Sequence, residues 1–128
     1  MVLDSSAIVA IYLREAAHEQ LIEKIDAADI IVVGVPTILE TTMVLSSRLG
    51  LDPRATLFAF LRRVRGDMVP FNQEHLDAAV TAFFRFGRGR HPAALNFGDC
   101  MSYAVASVSR LPLLFTGEDF SQTDVLQA

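Results

Sequence analysis

Met1-Val2-Leu3-Asp4-Ser5-Ser6 opens the chain, and its reading decides the fold. Three apolar residues suit a short buried strand, and Asp-Ser-Ser is a run that favours a helix N-cap. The next apolar run, Ile30-Ile31-Val32-Val33, is β-branched throughout and ends in Gly34, Val35 and Pro36, which suits a strand buried on both faces of a sheet. Between the two lie helical patterns: a short apolar one from Ser6 to about Leu13, and Ala16 to Ala28 with Ala17, Leu21, Ile25 and Ala28 on one face. Short strands alternating with helices predict an α/β fold with a parallel sheet.

The same alternation continues. Pro36 fits a first helical turn, and Ile38, Leu45 and Leu49 mark an apolar stripe that stops at Gly50. Asp52-Pro53 starts a further helix with Leu57, Phe58, Leu61 and Val64 on its buried side. Met68-Val69-Pro70 reads as a weak strand, and Asn72 as the cap of a helix that buries Leu76, Ala79, Val80 and Phe83. Gly87-Arg88-Gly89-Arg90-His91-Pro92 has the composition of a mobile surface segment. A long helix follows from near Asp99 to about Ser109, then a strand over Pro112–Phe115, a turn at Gly117–Phe120 and a last short strand over Asp124–Leu126.

The 128 residues amount to one domain, taken as 1–128, and 52% of them are apolar, enough for a full core and against disorder. No apolar run approaches the roughly 20 residues that span a bilayer. Nor does a basic segment precede an apolar one at the start. A cytoplasmic protein without a membrane role is expected. Cys100 is the single cysteine, so it reads as a small buried thiol rather than half of a disulfide. The net charge of −4 taken alone argues against a polyanionic partner. Arginines nonetheless gather at Arg62-Arg63-Arg65 and at Arg85, Arg88 and Arg90, either of which also suits a merely solvated surface.

The acids carry the chemistry. Asp4 directly follows the first strand, Glu40 lies about one turn into the helix after the second, Asp99 opens a helix, and Asp119 sits in the turn after the fourth strand. Each has a bland explanation: Asp4 and Asp99 as helix caps, Glu40 as a surface acid near a helix N-terminus, Asp119 as a turn former. Taken together, each sits where a strand has just ended or a helix is just beginning, the edge where an open parallel sheet forms its ligand crevice. Carboxylates gathered there repel unless a cation joins them. Oxygen donors without His or Cys favour Mg²⁺ or Mn²⁺ over zinc. Such ions bind a scissile phosphate and activate water, a nuclease chemistry.

The segments Met1–Ala7, Pro36–Glu40, Leu95–Ala104 and Leu113–Phe120, with Thr123-Asp124 beyond, resemble in order and separation the PIN-domain ribonucleases, and among them the VapC toxins of bacterial toxin–antitoxin pairs. The resemblance covers essentially the whole chain. It implies a three-layer α/β/α fold around a parallel sheet and a metal-dependent endoribonuclease using Mg²⁺ or Mn²⁺. It also implies a homodimer and neutralisation by a cognate VapB-like antitoxin. It places the catalytic and metal-binding acids at Asp4, Glu40, Asp99 and Asp119, with Ser6, Asn96 and Thr116 in support. Arg88 and Arg90 are expected to hold RNA, and Glu118 and Asp124 are the remaining acids of the last motif.

Two other readings compete. A catalytically inert antitoxin-binding module of the same fold would be free to lose an acid, yet all four remain. A small phosphatase would want Asp where Ser6 stands, and a receiver domain would want a late lysine, whereas the only lysine is Lys24.

Overall fold

The structure, a computed structural model describing residues 1–128, runs β1 (Val2–Leu3), α1 (Ser5–Tyr12), α2 (His18–Asp26), β2 (Ile31–Gly34), α3 (Val35–Leu49), α4 (Arg54–Arg63), β3 (Gly66–Val69), α5 (Gln73–Phe86), α6 (Phe97–Ser109) and β4 (Leu113–Leu114). The four strands form one parallel sheet in the order β3-β2-β1-β4. Val2 lies opposite Val32 on one side and Leu113 on the other.

Side chains on a strand alternate between faces, and here both faces are covered. Val2, Val32 and Leu113 join Ala79, Ala82, Phe86, Tyr103 and Val105 in one apolar cluster beneath α5 and α6. Leu3, Ile31, Val33 and Leu114 join Ala7, Ile8, Leu21, Ile25, Leu57 and Leu61 in a second cluster beneath α1, α2 and α4. The result is a three-layer α/β/α sandwich. The chain builds outward from β1 through β2 to β3, then returns past β1 to β4. With right-handed crossovers, that reversal puts the later helices on the opposite face. Asp4 follows β1 at the switch point, where such sheets open a crevice.

Local chemistry sets the element ends. Gly50 closes α3 at φ 67°, a left-handed backbone that glycine adopts at no steric cost. The Asp52 carboxylate accepts the Arg54 N–H at 3.0 Å ahead of α4. Asn72 caps α5 as expected, its side chain accepting the His75 N–H at 3.2 Å.

Four expectations are corrected. The stripe Leu76, Val80 and Phe83 does not face the core of the monomer. Those side chains are 42–46% exposed, while Ala79, Ala82 and Phe86, one step around the helix, are buried. The long last helix starts at Phe97 with Asn96 as its cap, so Asp99 stands in its first turn rather than ahead of it. Residues 87–95 form a closed turn. Arg88 N–H donates to Leu95 O at 3.0 Å, Leu95 N–H to Phe86 O at 2.9 Å, and Ala93 and Leu95 are buried. The end of the chain adds no strand, only an isolated bridge from Gln127 to Leu113, because Asp124 is held elsewhere. Tyr103 Oη donates to Asp124 Oδ1 at 2.6 Å, and Arg85 pairs with Asp124 Oδ2 at 2.8 Å.

Candidate active site

Each acid is held by a different local device. Asp4 is the N-cap of α1: its Oδ2 accepts the Ser6 N–H at 2.9 Å and the Ser6 hydroxyl at 2.6 Å. Ser6 Oγ in turn accepts the Thr116 N–H at 3.0 Å, which ties the end of β1 to the end of β4. Thr116 thus contributes its backbone. With Oδ2 committed to two donors, Asp4 Oδ1 is buried without any partner. Removing the hydroxyl should loosen this lock. Ser6→Ala is expected to lower cleavage about 10- to 100-fold, as losses of groups that orient ligands do, with the thermal midpoint changed by only a few degrees; an unchanged rate would remove Ser6 from the site.

Asp99 and Asn96 hold one another in a capping box. Asp99 Oδ2 accepts the Asn96 N–H at 2.7 Å, and Asn96 Oδ1 accepts the Asp99 N–H at 3.0 Å. The bland reading of Asp99 as the helix cap is therefore corrected: Asn96 is the cap, and Asp99 is its partner in the first turn. The box uses one carboxylate oxygen and leaves the other. Burial raises the Asp99 carboxyl to about 6, against the helix-end hydrogen bond, and the charges of Asp4, Asp119 and Glu40 add to the rise. Asp4, Glu40 and Asp119 are thus all within electrostatic reach of Asp99.

Glu40 is brought in by α3, which packs against both α1 and α6 and so joins the two helical layers beside the crevice. Its carboxyl is also raised, first by burial and then by the Asp4 charge, with the Ser5 hydroxyl working the other way. Glu40 Oε2 is buried and unpartnered. Asp119 stands exposed on the turn after β4, opened by Gly117 at φ 88°. Glu118 is exposed beside it, and its charge is not among those acting on Asp99.

A divalent cation fits this donor set. Two buried carboxylate oxygens without hydrogen bonds, Asp4 Oδ1 and Glu40 Oε2, are costly unless something positive completes them, and the donors are hard oxygens. No three of the acids converge on one ligating point in this structure.

The basic residues divide. Arg85 is committed to Asp124. Arg90 lies over Phe83 and Phe84, 4.9 and 4.8 Å from their ring centroids. Arg88 borders an open apolar groove of about 430 Å³ with Leu76, Val80, Phe83, Phe97 and Asn96. Neither Arg88 nor Arg90 is paired with an acid. The sequence reading missed this groove and the exposure of Phe97, which at 80% is the largest among the apolar side chains. Its position directly after a cap residue was the available signal.

Comparison with known proteins defines the class. Residues 1–126 match the family described as the PIN domain. Ribonuclease VapC36 of Mycobacterium tuberculosis is 45% identical over 127 residues, covering 98% of this chain and 91% of the relative. Ribonuclease VapC of Mycolicibacterium smegmatis is 42% identical over 125 residues, covering 98% and 97%. The chain belongs to the PIN-domain family, within its VapC ribonuclease branch. Among solved structures, Mycobacterium tuberculosis VapC20, described as a sarcin–ricin loop cleaving toxin, superposes with a TM-score of 0.75 at 17% identity over 99% of this chain and 97% of that one. A toxin–antitoxin complex from Klebsiella pneumoniae gives 0.72 at 15% identity over 99% and 95%. These two bear on the fold alone. No helix is long and apolar enough to cross a membrane.

Proposed function

We propose that this chain is the toxin of a toxin–antitoxin pair, an endoribonuclease that hydrolyses RNA phosphodiester bonds with Mg²⁺ or Mn²⁺ held by Asp4, Glu40, Asp99 and Asp119. The observation that carries this reading is the pair of buried, unpartnered oxygens, Asp4 Oδ1 and Glu40 Oε2, on acids whose charges both act on Asp99. Relatives named as ribonucleases support the substrate. A bound ion would supply charge neutralisation at the scissile phosphate and activation of water.

The protein's own groups divide the remaining tasks. Asp4, locked by Ser6, is the rigid donor. Asp99 keeps its orientation through the capping box while offering its second oxygen. Asp119, exposed on a turn, is the donor with room to adjust. Arg90, pre-positioned on two phenylalanine rings, and Arg88 beside it would hold RNA phosphates. Replacing both by Ala should weaken RNA binding. The salt dependence of log K should flatten by about 0.7 per lost single-strand phosphate contact, roughly 1.4 in all, read by fluorescence anisotropy from low to moderate salt. An unchanged slope would exclude them.

Two partners complete the proposal. The antitoxin would lay an amphipathic segment in the groove between α1, α2 and α4, where Ile11, Ile22 and Phe60 lie between Arg14, His18 and Arg63. A second copy of the chain would cover the Leu76, Val80 and Phe83 face. A helix stripe with core periodicity that the monomer leaves exposed is what an oligomer interface requires. Expression of the chain alone in a bacterial host tests the toxin reading. Growth should arrest with the natural sequence and continue with Asp99→Asn. Continued growth with both, at equal soluble levels, would favour the inert antitoxin-binding module.

A further inference from the structure

We infer that Gly98 is a positioning residue for Glu40: its missing side chain is the space in which the Glu40 carboxylate reaches the acidic crevice. This rests on the acidic-site reading above but is argued from packing. A Cβ placed on Gly98 would fall 2.6 Å from both Cδ and Oε2 of Glu40, and nearer still to Oε1. Every carboxylate heavy atom of that side chain therefore lies where an alanine methyl would be.

The contact ends a series of close approaches along α3 and α6. At the start of α3, Gly34 lies so near α6 that a Cβ would be 2.9 Å from Val105 Cγ2. One turn on, the buried hydroxyls of Thr37 and Ser102 meet at 3.2 Å. Glu40 against Gly98 is next. The steps from Gly34, the N-cap of α3, through 37 to 40 and from 105 through 102 to 98 on α6 are helical spacings running in opposite senses, the signature of one continuous antiparallel seam. The inner contacts fix how near the helices come. At that separation, a side chain at position 98 and a carboxylate at position 40 cannot share the crevice. The obstructed atoms are the far end of a flexible side chain, so an added methyl would turn Glu40 away and leave the helices in place.

The test is Gly98→Ala in a double-variant cycle with Glu40→Ala, read by calorimetric Mn²⁺ titration of the purified protein without RNA. Alanine is the better helix former, so the thermal midpoint should be unchanged or higher. In the natural background, Gly98→Ala is expected to weaken Mn²⁺ binding at least about tenfold. In the Glu40→Ala background it should change nothing further, because the group it displaces is gone. An equal loss in both backgrounds, or no loss in the first, would overturn the inference. Should the natural chain bind no Mn²⁺, the metal reading fails separately and Gly98 is still testable. Nuclear Overhauser contacts between the Glu40 methylenes and the first turn of α6 should be present with Gly98 and absent with Gly98→Ala, and their persistence would refute the role.

Discussion

Asp99→Asn is expected to lower RNA cleavage by about 10³-fold or more while leaving a folded protein that, without metal at pH 7, is somewhat more stable than the natural one. The fold survives because the side-chain oxygen of an asparagine at this position can still accept the Asn96 N–H that now goes to Asp99 Oδ2. What disappears is the charge. Burial, helped by the charges of Asp4, Asp119 and Glu40, raises the Asp99 carboxyl to about 6 from an ordinary 3.8. A native state that holds a proton more tightly than the unfolded chain is favoured at low pH and loses that advantage as pH rises. For metal-free protein, the contribution of Asp99 to stability should therefore decline between about pH 4 and pH 6 and stay level above. Asp99 is partly exposed, so solvent screening reduces the cost to on the order of 1 kcal/mol. Thermal midpoints in EDTA at pH 4.5 and pH 7 check this. The natural chain should be the more pH-sensitive of the two, and identical profiles would show that burial and the neighbouring acids do not raise the Asp99 carboxyl. The same proton competes with a cation, so Mn²⁺ affinity should weaken as pH falls below about 6.

Val80→Glu combined with Phe83→Glu is expected to convert the proposed homodimer to a folded monomer. Both side chains lie on the exposed face of α5, so charge there costs the isolated subunit little beyond the stacking of Arg90 on Phe83. Within an interface, each glutamate would be desolvated against apolar neighbours. Two such losses at central anchors amount to about 4 kcal/mol or more, roughly a 10³-fold rise in the dissociation constant. Light scattering across a concentration series, with circular dichroism for the fold, reads the outcome. A natural chain that is monomeric at every concentration, or a charged variant that remains dimeric, would move the subunit contact elsewhere.

The sheet was legible in the sequence because strands buried on both faces leave short apolar runs that turn residues terminate, as at Met1–Leu3 before Asp4 and at Ile31–Val33 before Gly34. The placement of Asp4 and Asp119 was legible for the same reason, since position after a strand is a local property, whereas Glu40 lies within α3 and Asp99 within the first turn of α6. Three features were less legible. The apolar period of α5 was read as a buried face, but Leu76, Val80 and Phe83 are exposed in the monomer, because periodicity does not say whether the same chain covers a face. The Gly- and Arg-rich segment suggested mobility, yet backbone hydrogen bonds from Arg88, Arg90, His91 and Leu95 close it into a turn. Asp124 stood in a site motif, but Tyr103 and Arg85, distant in sequence, engage it and hold its carboxyl below the usual range, while burial, helped by Asp124, pushes the Tyr103 hydroxyl up to about 12 against the Arg85 charge. The seam that leads to Gly98 was invisible for a similar reason: a glycine one residue before a carboxylate has no local signature, and its function is set by a helix about sixty residues earlier.

The most direct measurement is cleavage of total bacterial RNA by the purified chain, freed of any antitoxin, with Mg²⁺ or Mn²⁺, with EDTA, and with Asp99→Asn as the control. The result expected is discrete fragments that appear only with the cation and only with Asp99 present. Undiminished cleavage in EDTA or by Asp99→Asn, or intact RNA under every condition from folded protein, would contradict the assignment of a metal-dependent ribonuclease site to these four acids.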